Sequence, residues 1–264
     1  MGKIANPRSK PKKFGMERVQ QKIINRKLKN PDINKRQQAK LLNCEFTEKF
    51  AGGSDPRKYS RGRGYQEYNH MIQFLSQSSE FKTKSILHML AEYSKTHHKK
   101  VIKILDEGAG RGAFLTGLKD MWGTFKKIEG VNSKLETTAI VLDVEDLKRT
   151  KIDHAYGGDV NGYVPKEKFD FIFSVFGGFT YTTPKLQREV LLKHLYSLEK
   201  GGYGFFGFSS EHKKEYTDIF VRKLEKIGFK AEYKDYNNNQ HKETRAKFIE
   251  ENLPRQYLIV KRIK

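Results

Sequence analysis

The chain has 264 residues, enough to bury a sizeable core, and its formal net charge is +21. Cys44 is the only cysteine, which excludes a disulfide within the chain and a thiolate metal cluster and is typical of an intracellular, cytoplasmic protein. The sequence contains neither the apolar segment of a secretory signal nor an apolar run long enough to cross a bilayer, so we expect no membrane association.

The positive charge is concentrated in the first quarter of the chain. Residues 1–65 contain 18 Lys and Arg against 5 Asp and Glu, a net charge of +13 out of +21. This imbalance attracts polyanions, and RNA, DNA, ribosomes and anionic membrane surfaces all qualify. The Gly, Ser and Pro content of "AGGSDPRKYSRGRG" indicates a linker. We therefore predict a basic extension over residues 1–64, partly disordered or helical, and a separate domain over residues 65–264.

The second part of the chain alternates between helical and strand patterns. Two helices are predicted in "YQEYNHMIQFLSQSS" and "TKSILHMLAEYSKTHHKK". After them the sequence predicts a strand at 101–105, a helix from 113 to about 125, strands at 137–142 and 154–157, and the strand "FDFIFSVF". The first of these helices places Phe114, Leu118, Met121 and Trp122 on one face. A helix from Pro184, the strand "GYGFFGF", a helix from Glu211 carrying Tyr216, Phe220, Leu224 and Ile227, and the strands "FKAEYKDY" and "QYLIVKRI" complete the prediction. This order predicts an α/β sheet with helices on both faces.

The stretch "LDEGAGRG" joins the first strand to a helix through a glycine turn, which lets a nucleotide lie close to the backbone. Gly108, Gly110 and Ala113 satisfy the G-x-G-x-x-G/A spacing of dinucleotide sites, so an NAD(P)-dependent oxidoreductase is one interpretation. Asp106 and Glu107 argue against it, because a pyrophosphate would lie beside two carboxylates. A ligand with an ammonium and a sulfonium group would instead be attracted.

The same stretch resembles the first motif, D-x-G-x-G-x-G, of the class I (Rossmann-like) S-adenosylmethionine-dependent methyltransferases, at Asp106, Gly108, Gly110 and Gly112. The resemblance covers about residues 65–264. It implies a seven-stranded, mostly parallel sheet with helices on both faces and an antiparallel last strand, preceded here by the basic helical extension. It also implies S-adenosylmethionine as the cofactor.

Later residues match further landmarks of that family. The resemblance implies that Asp143, after "TTAIVL", binds the ribose hydroxyls, with Glu129 as the alternative. In "GGDV" it implies that Asp159 accepts from the adenine amino group and that Val160 packs on the ring. The fourth strand would place Ser174 to Phe176 at the methionine end of the cofactor, and "LEKGGYGFF" resembles the Gly-Gly turn before the fifth strand.

The residues leave the catalytic group and the methyl acceptor open. "SVFGGFTY" lacks the Asn/Asp-Pro-Pro-Tyr/Phe stretch of the family's amino methyltransferases, and no cysteine is near for attack on a pyrimidine carbon. Thr180 and Tyr181 either line an acceptor pocket or pack a loop, and no general base is assigned. The scattered histidines have no metal-binding spacing, so we expect no metal site.

The basic extension favours RNA or a ribosome-associated macromolecule as acceptor, since "YSRGRGY" combines arginines with aromatic rings that stack on bases. The stretch "FGGFTY" instead looks closer to family members that act on small molecules or proteins. A catalytically idle, RNA-binding methyltransferase-like module is a further alternative.

Overall fold

The computed structural model describes residues 64–77, 81–141, 147, 150–157, 160, 163–175, 191–208, 214–235 and 256–264. The helices predicted in the basic extension and the helix predicted from Pro184 lie mostly or wholly outside these residues. The described helices are α1 (Tyr65–Gln77), α2 (Ile86–His97), α3 (Ala113–Ile128) and α4 (Lys214–Lys226), and residues 191–196 are also helical. The strands are β1 (Val101–Glu107), β2 (Lys134–Val141), β3 (His154–Gly157), β4 (Phe169–Ser174), β5 (Leu198–Phe208), β6 (Phe229–Asp235) and β7 (Gln256–Arg262).

The strands form one seven-stranded sheet in the order β3-β2-β1-β4-β5-β7-β6. The first five of these run parallel, whereas β7 is antiparallel to both β5 and β6. The predicted mostly parallel sheet with an antiparallel last strand is therefore confirmed. The strand order reverses between β1 and β4, which places a topological switch point at their carboxyl ends.

Each face of the sheet has its own apolar core. Ile104, Phe171 and Phe205 face α1, α2 and α3 on what we call the first face. Leu105 and Ile172 face the opposite way, towards the helical segment 191–196 and α4, on the second face. Because both faces are covered, β4 is buried along its whole length, which explains why its sequence is an apolar run rather than an alternating pattern.

Two details differ from the predicted elements. Met121 is 40% exposed, because the buried stripe of α3 runs through Phe114, Leu118 and Trp122. Ile227 is 43% exposed, because α4 ends at Lys226 and the chain turns at Gly228 with a φ of 96°. The predicted start of this helix at Glu211 lies outside the described residues.

The Gly-Gly turn predicted before the fifth strand is instead an irregularity inside β5. Pairing with β4 jumps from Phe169 opposite Leu198 to Phe171 opposite Tyr203. Gly201 has a φ of 83°, and a Cβ on Gly202 would lie 2.6 Å from the carbonyl oxygen of Asp170. The close approach of the β4 backbone therefore requires glycine at position 202, whereas Gly201 is required by its positive φ and by the His97 ring, whose Nε2 would lie 2.4 Å from a Cβ.

Candidate functional site

The candidate site lies at the carboxyl ends of β1 and β4, where ligands of open α/β sheets bind. β1 ends in Asp106 and Glu107, and β4 ends in Ser174. Asp106 is paired in register with Phe173, so Glu107 and Ser174, the next residues of these parallel strands, lie side by side on the second face. The sheet thus brings Asp106 and Glu107 to the same end as Ser174, which is 68 positions after Asp106 in the sequence.

The glycine turn between β1 and α3 has a backbone that only glycine adopts readily. Gly108, Gly110 and Gly112 have φ angles of 82°, 54° and 69°. The N–H groups of Gly108 and Ala109 both donate to the carbonyl of Ile140, at 2.9 and 3.1 Å. The turn is thereby fastened to β2 and holds the N-terminus of α3 at the switch point, where the helix dipole favours a negatively charged or hydrogen-bond-accepting group of a ligand.

Gly112 has a packing role that the sequence did not reveal. A Cβ at this position would lie 2.4 Å from Cδ1 of Ile152 and 2.9 Å from Cδ2 of Leu147. The third glycine of the motif therefore lets the segment that follows β2 cover the start of α3.

Asp106 is fully buried on the first face. The hydroxyl of Tyr68 in α1 donates to its Oδ1 at 3.0 Å, while no described residue hydrogen-bonds to Oδ2. Burial, with a smaller contribution from the charge of Glu107, raises the pKa of Asp106 to about 8, although the hydrogen bond from Tyr68 lowers it. This carboxyl group can therefore accept a donor from a ligand and is suited to a cationic one.

Tyr68 is held in place by a small aromatic cluster. Its ring stacks on Phe114 with a centroid separation of 3.9 Å and meets the edge of Phe173 at 6.1 Å. Sequence analysis missed Tyr68 as a site residue. Its helical spacing with Ile72 and Leu75 indicates a buried position, but nothing local indicates that its hydroxyl reaches Asp106.

Glu107 is fully buried on the second face, where it hydrogen-bonds through Oε1 with Nδ1 of His194. His194 is also fully buried, and the ring of Tyr163 meets it edge-on at 5.9 Å. Burial, and then the nearby charges of Tyr156, Glu167 and Glu107, raise the pKa of Tyr163. Within the part of the chain that the structure describes, Oε2 of Glu107 and Oγ of Ser174 have no hydrogen-bond partner. Sequence analysis assigned no role to His194.

The other predicted site residues are only partly described. Val160 is buried in the apolar core of the second face, near Ile140. Asp143, Asp159, Phe176, Thr180 and Tyr181 lie outside the described residues.

Glu129, the alternative ribose ligand, is not brought to the switch point. It follows α3 and precedes β2, at the amino end of the sheet, where it forms a 3.0 Å ion pair with Lys95.

In the part of the chain that the structure describes, no helix has both the length and the apolar character needed to cross a bilayer. Among the same residues, no group of three or more His, Cys, Asp and Glu side chains is arranged to hold a metal ion.

No protein-family model matches the sequence, and no curated protein sequence matches it. Solved structures similar to this chain include the plantazolicin methyltransferase BpumL in complex with SAH (14% identity, 87% of this chain and 99% of that chain covered, TM-score 0.49). They also include an S-adenosylmethionine-dependent methyltransferase from Clostridium acetobutylicum (14% identity, 76% and 99% covered, TM-score 0.45) and an rRNA methylase from Streptococcus thermophilus (17% identity, 70% and 100% covered, TM-score 0.38). Likenesses at such identities concern the fold and not the reaction.

Proposed function

We propose that the protein is an S-adenosylmethionine-dependent methyltransferase. The observation that carries this proposal is the pair of buried acids at the end of β1, directly before the glycine turn and at the switch point of the sheet. No described residue hydrogen-bonds to one carboxyl oxygen of Asp106, so this position suits a ligand that brings a hydrogen-bond donor and a positive charge. S-adenosylmethionine brings an ammonium and a sulfonium group.

The residues present fit this cofactor in a consistent order. Asp106 would accept from the ammonium group, and Gly108 and Gly110 would let the ligand approach the backbone. Following the family resemblance, Asp143 would bind the ribose hydroxyls, Asp159 and Val160 the adenine, and Ser174 and Phe176 the methionine end. When bound, the cofactor supplies an activated methyl group, so the protein has mainly to position the acceptor and exclude water.

A dinucleotide-dependent oxidoreductase is the second candidate, favoured by the spacing of Gly108, Gly110 and Ala113. A pyrophosphate on this turn would lie beside Asp106 and Glu107. It would be repelled by each carboxyl group in its ionised form, because two unit charges 4 Å apart repel by about 4 kcal/mol at an effective dielectric constant of 20. We therefore place this candidate second.

Titration of the pure full-length protein with S-adenosylhomocysteine and, separately, with NADPH distinguishes the two candidates. Calorimetry should detect binding of S-adenosylhomocysteine and none of NADPH. Tight binding of NADPH alone would overturn the methyltransferase proposal.

For the acceptor, we propose RNA or a ribosome-associated macromolecule, on the strength of the basic extension. A small-molecule or protein acceptor and an idle RNA-binding module are the alternatives. Incubation of the protein with radiolabelled S-adenosylmethionine and fractionated cell extract separates them. Label in RNA or ribosomes would support the proposed acceptor. Label in free small molecules or in other proteins would support a small-molecule or protein acceptor. Binding of RNA without any methyl transfer would support the idle RNA-binding module.

A further inference from the structure

A surface patch with aromatic, apolar and cationic side chains lies at the amino ends of β4 and β5, at the opposite end of the sheet from the candidate site. Its centre is Tyr196, which lies just before β5 and is 47% exposed. Ile227, after α4, and Ile263, after β7, are also exposed. The ring of Tyr196 meets the edge of the Phe229 ring at 5.8 Å, and the N–H of Ile263 donates to the carbonyl of Gly228 at 2.8 Å. These contacts make the three exposed side chains neighbours.

The protein holds Tyr196 in place from two directions. Its carbonyl oxygen accepts from Nζ of Lys168 and, at 3.0 Å, from the guanidinium group of Arg262. The same guanidinium group donates to the carbonyl of Leu198 at 2.6 Å. These two cations stabilise the negative end of the short helical segment that ends at Tyr196, while Phe229 supports the ring. Because this exposed ring is already ordered, it loses little conformational freedom when it binds a ligand.

Positive charge predominates around Tyr196. The cations at this end of the sheet are Lys168, Lys193, Lys223, Lys226, Arg262 and Lys264, and all of them except the half-buried Arg262 are exposed. The acids in the same stretches of chain are Glu167, Glu199 and Glu225. Glu167 already forms a 2.6 Å ion pair with Lys103 of β1. The patch therefore attracts polyanions.

The combination of a fixed aromatic ring and surrounding lysines favours a single-stranded nucleic acid. Such a ring stacks on a base of any sequence, and lysines on flexible stems contact the phosphate backbone. The cations are spread over several elements, so they suit a chain of phosphates better than a single phosphate. The apolar area, from Tyr196 and two isoleucines, is small, whereas a standard protein interface buries about 800 Å² on each partner.

We infer that this patch, which we call the Tyr196 patch, is an RNA-binding surface that holds the acceptor at a distance from the site of methyl transfer. The inference rests on the proposed function, in which the acceptor is RNA, and adds a binding surface within residues 65–264. Lys168 precedes β4 and Ser174 ends it, so the patch and the candidate site are about 20 Å apart at about 3.3 Å per residue. With one phosphate per about 3.4 Å of a stacked strand, an RNA that reaches both has about six nucleotides or more.

Fluorescence anisotropy with the full-length protein and a labelled single-stranded RNA of about 20 nucleotides tests the role of the ring. Tyr196→Leu keeps an apolar side chain and removes the ring, so the affinity for RNA should fall about tenfold while its salt dependence stays the same. Tyr196→Phe keeps the ring and should bind like wild type. The matched control is Tyr156→Leu, which removes another exposed tyrosine, on β3, and should also bind like wild type.

The cations of the patch are tested with one triple variant, Lys223→Gln, Lys226→Gln and Lys264→Gln. The slope of log affinity against log salt concentration should become less steep by up to about 2, because each lost contact with a single-stranded phosphate reduces its magnitude by about 0.7. The control is the triple variant Lys126→Gln, Lys127→Gln and Lys134→Gln, near the amino end of β2, which should keep the wild-type slope. The affinity for S-adenosylhomocysteine should be unchanged in every variant.

The outcomes separate this inference from the proposed function. If wild-type protein binds RNA and neither the Tyr196→Leu variant nor the patch lysine variant changes that binding, the inference is overturned and the RNA acceptor is not. Wild-type protein that binds no RNA overturns both, and failure to bind S-adenosylhomocysteine counts against the methyltransferase proposal alone. Vesicles of phosphatidylserine and phosphatidylcholine provide a further comparison. If the patch variants weaken binding to these vesicles and leave RNA binding unchanged, the patch binds a lipid surface and the inference is overturned.

Cross-linking gives a measurement on wild-type protein that needs no variant to fold. RNA that contains 4-thiouridine is cross-linked to the protein by light, and the tryptic peptides that carry RNA are identified by mass spectrometry. The peptide of residues 194–200, which contains Tyr196, should be among them. RNA cross-links that all lie outside the Tyr196 patch overturn the inference.

Discussion

Asp106 is a single residue whose charge is set by its surroundings. Its pKa of about 8 means that most molecules carry a proton there at pH 7, and a bound ammonium group favours the ionised form. Binding of S-adenosylhomocysteine at pH 7 should therefore release close to one proton. Below pH 8 the affinity for S-adenosylhomocysteine should rise with pH. The reason is that a growing fraction of the free protein already has Asp106 ionised, so binding no longer has to remove that proton.

Calorimetry in buffers of different ionisation enthalpy measures this release. Asp106→Asn, which cannot ionise, should release none and bind S-adenosylhomocysteine more weakly. The wild-type protein should also release none with 5′-methylthioadenosine. A wild-type release near zero with S-adenosylhomocysteine would show that Asp106 does not face the ammonium group.

Tyr68 tunes this carboxyl group through one hydroxyl. Its hydrogen bond lowers the pKa of Asp106, so Tyr68→Phe should raise that pKa further and move the rise in affinity to higher pH. The stack on Phe114 is retained, and the lost donor should cost about 1–3 kcal/mol of stability. The pH profile of S-adenosylhomocysteine binding checks this shift, and a profile identical to wild type would contradict it.

Two glycines, Gly112 just before helix α3 and Gly123 within it, have opposite expected responses to alanine. At Gly112, with a φ of 69°, a Cβ meets Ile152 and Leu147, so Gly112→Ala should destabilise the protein by about 2–4 kcal/mol from strain and overpacking. At Gly123, inside the helix, a Cβ meets nothing within 4 Å, and Gly123→Ala should stabilise by up to about 1 kcal/mol. Urea unfolding measures both, and equal effects would refute the packing role of Gly112.

Asp170 joins three elements at the amino end of the sheet. It accepts from the Tyr93 hydroxyl of α2 and the backbone N–H of Lys103 in β1, and it pairs with Lys99, each at 2.8 Å. Asp170→Ala should cost about 3–5 kcal/mol because it leaves the buried hydroxyl of Tyr93 and two partly buried donors unpaired. Asp120→Ala, which removes an exposed pair with Lys151, should change stability by less than about 1 kcal/mol.

At the same scale, the elements differ in how far the sequence predicted them. The sequence predicted β1 and β4 closely, because apolar runs bounded by glycine or charge mark buried strands. It also predicted the bounds of β3, although all four residues of that strand are exposed. The irregularity in β5 was not predicted, because it depends on the approach of the β4 backbone at Gly202. The contacts of the site were also beyond local patterns: Tyr68 reaches Asp106 across 38 positions, and His194 reaches Glu107 across 87. Such pairs are fixed by how helices pack on the sheet.

At the scale of the whole molecule, the concentration of positive charge in residues 1–65 predicts which part of the chain binds polyanions. If residues 1–64 bind RNA, the full-length triple variant Arg57→Gln, Arg61→Gln and Arg63→Gln should bind a single-stranded RNA oligonucleotide more weakly. The slope of log affinity against log salt concentration should become less steep by up to about 2, because each lost contact with a single-stranded phosphate reduces its magnitude by about 0.7. S-adenosylhomocysteine affinity should be unchanged.

The matched control removes the same charge elsewhere. Lys126→Gln, Lys127→Gln and Lys134→Gln alter three cations near the amino end of β2, and this variant should keep the wild-type salt slope. Equal slopes for all three proteins would contradict a role for the extension in RNA binding.

The position of β7 in the sheet has a consequence for synthesis. β7 follows β6 in the chain yet lies between β5 and β6, so β6 has no neighbouring strand in the sheet until residues 256–262 have been translated. A nascent chain that stops before Gln256 would expose the edge of β5 and the whole of β6, both of which are ready to pair with other molecules. If translation stops before Gln256, the released product can contain the complete strands β1 to β5 and the candidate site. Its exposed strands β5 and β6 would nevertheless make that product prone to aggregate.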